Sequence, residues 1–345
     1  MALVKTWRAT CIQMESDVAT IAATRQAATA IIAANVARAI SMIEAAVKDT
    51  DTKLIVLPEF ALQGPPHTEM VLEWIEKACD TIPGKITEPL QALAKKHRIF
   101  IAGNQFETVE KWPGRFFNSC FLIDPNGEVI LRFRRINTAV WPSPHDFMDD
   151  YIADVGFVGA FPVVDTELGR LGMIACGEIA VPEVARALMM NGAEVILHPT
   201  NEEFTPAQEA AKIARAAENM VYLVSANVAG PIGFSRDRSV KGGRSRIVDF
   251  RGNTLAYDTG AEANVGVTAE IDIQRLRVAR NETSMGNTIA RARWEMYRPV
   301  YEAATGYPPN QFLSVPMTDA KATVSLVESS IETLRNSGVI QPASA

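Results

Sequence analysis

Residues 169–188 read GRLGMIACGEIAVPEVARAL. The first half is an apolar, strand-like segment and the second half has helical spacing, with Cys176-Gly177-Glu178 at the join. A strand that passes through a tight turn into a helix raises the turn residue above the sheet edge, where a nucleophile is useful. Two other strand ends carry matching chemistry. LIVLPEF (54–60) brings Glu59 to the end of an apolar run, and VILRFRRIN (129–137) ends its arginine cluster at Arg135. An acid, a fixed cation and a thiol at three strand termini outline a covalent hydrolase site.

Outward from that stretch, strands and helices alternate. Strands are expected at WRATCIQM, KLIVLPEF, IFIAGNQFE, AEVILHPT and VYLVSANVAG, with helices over 21–47, 87–97 and along PAQEAAKIARAAENM. FFNSCFLID and EVILRFRR flank Pro-Asn-Gly, a strong hairpin signal, and SRIVDFRGNTLAYD with GVTAEIDI reads as a second, hairpin-like pair. Alternation together with hairpins implies mixed sheets. The expected fold is therefore α/β: a four-layer α-β-β-α sandwich, two mixed sheets face to face with helices outside. Residues 137–159 read as a long irregular loop, of the kind that is usually functional. One catalytic domain, 1–306, is expected, with 307–345 an extension that packs on the body or on a partner subunit. It contains one further helix over 319–336.

The chain has 345 residues, 48% of them hydrophobic and 21% charged, which suits a sizeable buried core. A net charge of −6 lacks the basic footprint of a nucleic-acid binder. The opening MALVKTWRATC has charges where a signal peptide needs an apolar core, and no apolar stretch is read as long enough for a bilayer. The four cysteines lack metal-type spacing. Cys11 and Cys120 sit in alternating apolar strands as buried spectators. His67, His97 and His198 show no mutual metal-like spacing either, so no metal and no cofactor is expected. These features describe a reduced, cytoplasmic protein with neither membrane nor nucleic-acid partner.

Over residues 5–305 the sequence resembles the nitrilase superfamily, the carbon–nitrogen hydrolases that include aliphatic amidases, N-carbamoyl hydrolases and nitrilases. LPEF matches the first acidic motif, FNSCFLIDPNGEVILRFRR the hairpin that carries a lysine, and GRLGMIACGEIAVPEVARALMMNGAEVIL the nucleophile segment. SANVAG and GGRSRIVDFRGNTLA resemble the closing motifs. The resemblance implies Cys176 as nucleophile, Glu59 as general base and the Gly177 N–H as oxyanion donor. It also implies a small amide-like substrate, water as co-substrate and at least a homodimer.

Two positions depart from that pattern. Arg135 stands where the family has lysine, and the loop that follows carries aspartates where a second glutamate is expected. Asp149 and Asp150 are the nearest candidates, with Asp146 behind them; the plainer reading of Asp149 and Asp150 is solvated loop charge. An arginine keeps its charge but holds its protons at neutral pH, and a bidentate pair with Glu59 is open to it. That favours amides over nitriles, whose nitrogen must be protonated. Glu178 either orients the site or favours the helix N-terminus. Glu183 and Arg186 read as a structural pair, and His145 is a remote candidate base. Three functions remain: an amidase-type hydrolase, a catalytically silent homologue kept for binding or assembly, and a nitrilase. Pocket shape is expected from the loops at 64–69, 138–152 and 201–205.

Overall fold

The structure, a computed structural model, describes residues 3–66, 70–138, 141–230, 232, 241–304 and 306–343. Its strands are β1 (Trp7–Cys11), β2 (Thr52–Val56), β3 (Phe100–Glu107), β4 (Phe117–Ile123), β5 (Val129–Arg134), β6 (Val163–Thr166), β7 (Gly169–Met173), β8 (Val195–Thr200), β9 (Tyr222–Asn227), β10 (Arg246–Val248), β11 (Thr254–Tyr257) and β12 (Thr268–Ile271). The helices are α1 (Arg25–Asp49), α2 (Val71–Lys77), α3 (Glu88–His97), α4 (Met148–Ala160), α5 (Pro182–Met190), α6 (Pro206–Glu218), α7 (Ile273–Asn281), α8 (Trp294–Ala303) and α9 (Ala322–Asn336).

The strands form two six-stranded mixed sheets, ordered β12-β1-β2-β3-β4-β5 and β11-β10-β9-β8-β7-β6. In the first, β1, β2 and β3 are parallel and the outer pairings antiparallel. The second has β7, β8 and β9 parallel at its centre. Alternate residues of the first sheet point into one core: Ala9, Cys11, Leu54, Val56, Leu122 and Phe133 meet Leu171, Met173, Leu197 and Val224 of the second sheet. The residues between them, such as Ile55, Ile101, Phe121 and Ile123, face α1 and α3. Helices α5 and α6 cover the second sheet through Val184, Leu188 and Ala216. The architecture is the α/β sandwich expected, and both faces of each central strand are buried.

Helix α1 begins where the Thr24 side chain accepts from Ala27 N, and it ends where Thr50 N donates to Ala46 O. Contrary to the sequence reading, α1 is long and apolar enough to match a bilayer span by length and composition alone: it has 25 residues and an 18-residue window of mean hydropathy 1.6. Much of that apolarity is alanine. Its inward stripe, Ala28, Ile32, Val36, Ala39, Ile43 and Ala46, recurs at helical spacing and is buried on the first sheet.

Three local expectations need correction. GVTAEIDI does not complete a hairpin with the preceding strand. The hairpin is β10–β11, across Arg-Gly-Asn, whereas β12 crosses to the other sheet and pairs with β1. Residues 148–160 are helix α4 rather than loop: a 3-10 turn, Pro144–Phe147, capped by the Ser143–Asp146 capping box, leads into it, the prolines 142 and 144 fall before the helix, and Asp149 and Asp150 occupy its first turn. A non-helical Gly156 kinks α4, whose Tyr151 packs with Trp112, Phe117 and Phe147. Finally, Glu183 and Arg186 do not pair. Glu183 accepts from Tyr301 Oη and Arg186 donates to Glu218 O.

The extension is fastened to the body by hydrogen bonds to its backbone. Asn310 N donates to His145 O, Phe312 N to Asp146 O, and Arg115 donates to the carbonyls of Phe312 and Leu313. If α1 is a core helix, Ile43→Ala lowers the unfolding free energy by about 2–5 kcal/mol in urea titration. An unchanged midpoint and slope would mean that the stripe is not packed in the folded protein.

Candidate active site

Because β3, β4 and β5 alternate in direction, β5 ends at the same edge of the first sheet as β2. Residues just past those two strands, Arg135 and Glu59, therefore emerge together. In the second sheet β7 and β8 are parallel, so Cys176 and the segment 201–202 leave one edge as well. The two edges are tied where Glu59 N donates to Thr200 O at 3.3 Å. Sites at the carboxyl ends of parallel strands are the general expectation for α/β sheets.

Glu59 is fully buried. Its Oε1 accepts from Asn118 Nδ2 at 2.7 Å and from Arg135 Nη1 at 3.4 Å. Asn118 is itself oriented by Asn104, whose Nδ2 donates to Asn118 Oδ1 at 2.5 Å and whose Oδ1 takes Phe60 N at 3.3 Å. The Cys176 thiol interacts with the same carboxylate, and its Sγ lies 3.6 Å from Asn201 O. Burial raises the Glu59 pKa above the ordinary carboxylate value, and Arg135 opposes that rise. Burial also raises the Cys176 pKa, helped by the negative charge of Glu59. Thus the thiol holds its proton while the carboxylate has become a better acceptor for it.

The arginine does not lock Glu59 in a bidentate pair. The fork-shaped contact belongs to its neighbour Arg134, whose Nε and Nη2 each donate to buried Glu107 at 2.8 Å. Arg135 makes one contact with Glu59 and donates from Nε to Asn137 O at 3.0 Å. Burial disfavours the charge of Arg135, and Cys176, Glu59 and Glu178 around it more than offset that, raising its pKa. Its Nη2 would sit 3.3 Å from a Cβ at position 177, so glycine there leaves room for the guanidinium. Among the described residues, the Gly177 N–H has no acceptor. A guanidinium and an N–H that has no acceptor among the described residues, both next to a thiol, can stabilise a developing oxyanion.

Cys176 has φ +44°, in the left-handed region where a residue with a side chain is strained. His198 braces that backbone: one ring nitrogen lies 2.9 Å from Cys176 O and the other 2.9 Å from Ser225 Oγ. Burial and the nearby Lys212 push the His198 pKa down to about 3. Glu178 accepts from Ile136 N, Asn137 N and Asn137 Nδ2 at 2.8–3.0 Å, and so holds the segment that follows Arg135. Of the two readings for Glu178, these bonds supply the orienting one.

Asp149 and Asp150 are exposed on α4 and make no hydrogen bond or ion pair with Glu59, Arg135 or Cys176 among the described residues. Asp149 N is occupied by Asn310 Oδ1. Asp146 is the buried loop acid, and burial raises its pKa to about 6. With Asn137, Thr138, Ser143, His145 and Tyr307 it lines a cavity of about 210 Å³. His145 is partly buried, which lowers its pKa, and its ring lies beside Tyr307. Asn118, His198 and Glu202 join the cluster although none was picked from the sequence as a site residue. Asn118 lay inside the quoted FNSC motif, and the other two flank the end of an obvious strand. His67, with the remainder of 67–69, and residues 139–140 lie outside the described residues. No cluster that would hold a metal ion occurs among the described residues. As a neutral brace, His198 keeps its ring resonances constant from pH 5 to 8 in an NMR titration. A midpoint near 6.5 would contradict that role.

Comparison with known proteins agrees with this geometry. The carbon-nitrogen hydrolase family pattern matches residues 8–281. An (R)-stereoselective amidase from Pseudomonas sp. is 30% identical over 250 residues, covering 72% of this chain and 82% of that protein. The human omega-amidase NIT2 is 28% identical, covering 72% and 86%. Among solved structures, Saccharomyces cerevisiae Nit3, of the nitrilase superfamily, superposes with TM-score 0.62 at 22% identity, over 82% of this chain and 97% of that one. An amidase from Nesterenkonia sp. gives 0.58 at 17%, over 85% and 96%. A thiol on a strand-to-helix turn, facing a buried glutamate across two mixed sheets and matched over most of the chain, leads to one assignment: this protein belongs to the carbon–nitrogen hydrolase family of the nitrilase superfamily.

Proposed function

We propose that the protein hydrolyses a small carboxamide or N-carbamoyl compound through a thioester on Cys176, with release of ammonia. The observation that carries this reading is the convergence of buried Glu59, the Cys176 thiol and Arg135 at Gly177, whose N–H has no acceptor among the described residues. Two similar proteins are named as amidases, which favours amides over nitriles.

Glu59 takes the thiol proton as Sγ attacks the carbonyl carbon. The electron pair of the C=O bond moves to oxygen, beside Gly177 N–H and Arg135. Collapse of the adduct breaks the C–N bond, and the departing nitrogen takes the proton from Glu59 and leaves as ammonia. Water then attacks the thioester and gives its proton to Glu59. Sulfur leaves the second adduct, recovers that proton, and the carboxylic acid departs. Arg135 supplies charge in this scheme and no proton, so Glu59 carries every transfer.

The competing reading, a fold retained for binding, draws on Arg135 in the place of the family lysine. One assay decides between them. With a panel of amides, carbamoyl compounds and nitriles, ammonia release is expected from amides or carbamoyl compounds, and Cys176→Ala abolishes it. Ammonia release that survives Cys176→Ala would remove the covalent mechanism, silence across the panel would favour the binding role, and turnover of nitriles alone would reassign the substrate class. Glu59 acts as a base only when deprotonated. Its raised pKa therefore places the acid limb of kcat/KM above the ordinary carboxylate value of 4.5, with activity lost as the pH falls through it.

A further inference from the structure

Two residues beyond β8, Glu202 is buried, at 3% exposure. Asn227 pins it on both sides: Oδ1 accepts from Glu202 N at 3.1 Å and Nδ2 donates to Glu202 O at 2.9 Å. The two preceding residues touch the reaction centre directly. Thr200 O accepts from Glu59 N and Asn201 O accepts from the Cys176 thiol. Three consecutive residues thus contact the base, contact the thiol and carry a further carboxylate.

That carboxylate has its own cation. Lys212, 2% exposed on the inner face of α6, forms an ion pair with Glu202 and another with Glu209 at 3.0 Å, and Glu209 pairs in turn with Arg246 of β10. A buried amino group is costly without a counter-ion, and a row of alternating charges supplies one at each step. The row ends beside the reaction centre, on the segment past β8 of the second sheet, whereas Arg135 and Asn118 come from the first sheet.

We propose that Glu202, fastened by Lys212, is a positioning residue whose field holds the proton of the Glu59–Cys176 pair in place. A negative charge nearby disfavours ionisation of both partners, and Glu202 acts on each in that sense, after burial and the nearer charges. The groups facing the pair are Arg135 and Asn118 from the first sheet, Asn201 O and Glu202 from beyond β8, and neutral His198 on the Cys176 carbonyl, while Glu178 of the nucleophile turn acts on Arg135. Behind Glu202 stand Lys212, Glu209 and Arg246. Lys212 acts on Cys11 and His198, and the larger influences on Cys176 are burial, Glu59, Arg135 and Glu202. Its work at the site is to hold Glu202. The thiol thereby stays protonated until an acyl carbon is in reach, and Glu59 is the stronger acceptor when it is.

The catalytic consequence rests on the amide-hydrolase reading, but the thiol can be titrated without turnover. Cys11, Cys79 and Cys120 are buried, so iodoacetamide addition followed by intact mass reports on Cys176. Since the thiolate is the reacting form, Glu202→Gln is expected to speed alkylation at pH 8 by about threefold or more, equivalent to about half a pK unit. Glu202→Asp, which keeps the charge, stays near the parent. If Glu202→Gln fails to fold, the double variant Glu202→Gln/Lys212→Met leaves no unpaired ion and shows the same acceleration. Alkylation profiles of the folded variants that overlay the parent would overturn the inference. Where amides are turned over, the acid limb of kcat/KM also moves to lower pH in Glu202→Gln. An alkylation shift without turnover would keep the inference and remove the amide reading; turnover with neither profile moved would do the reverse.

Discussion

Excluding water from a glutamate and a cysteine at once penalises the charged form of each, and this shared penalty governs the site. Glu59 without solvent gains proton affinity, and Cys176 beside it keeps its proton. The surroundings then decide how far each shift goes. Arg135 and Asn118 lower the cost of charge on Glu59, and Glu202 raises it. The proposed reaction needs this balance. A Glu59 too strongly paired would be a poor base, and one without partners would be a destabilising buried charge.

The fold makes that balance reproducible. Glu59 and Arg135 leave one sheet at a single edge because of the strand directions, and Cys176 leaves the other sheet at the edge that carries residues 200–202. Each reacting group is also held through its backbone. His198 braces Cys176, Glu178 holds the segment after Arg135, and Asn227 pins Glu202. Several of these braces are made by carboxylate or amide side chains at zero or near-zero exposure, where hydrogen bonds are strong and misplacement is costly.

What was legible in the sequence follows local rules. Strand runs, the Pro-Asn-Gly hairpin and the strand-to-helix turn at Cys176 each depend on a few consecutive residues, and the family motifs fixed Glu59 and Arg135 as their companions. What was illegible depends on distant partners. Nothing in GVTAEIDI says that β12 joins β1 rather than the adjacent hairpin, because its partner strand lies at the other end of the chain. Proximity along the chain points to Asp149 and Asp150, whereas the folded protein turns them outward on α4 and brings Glu202 to the thiol from beyond β8. Arg134 and Arg135 look alike in sequence. Strand alternation sends one to Glu107 and the other to Glu59.

The central claim is that one sulfur atom carries the acyl group between two proton transfers by Glu59. Rapid-quench intact-mass analysis during turnover of an amide tests it most directly. The account predicts a transient species heavier by the acyl group less one hydrogen, located on Cys176 by peptide mapping. Steady ammonia release with Cys176 unmodified at every time point would contradict it.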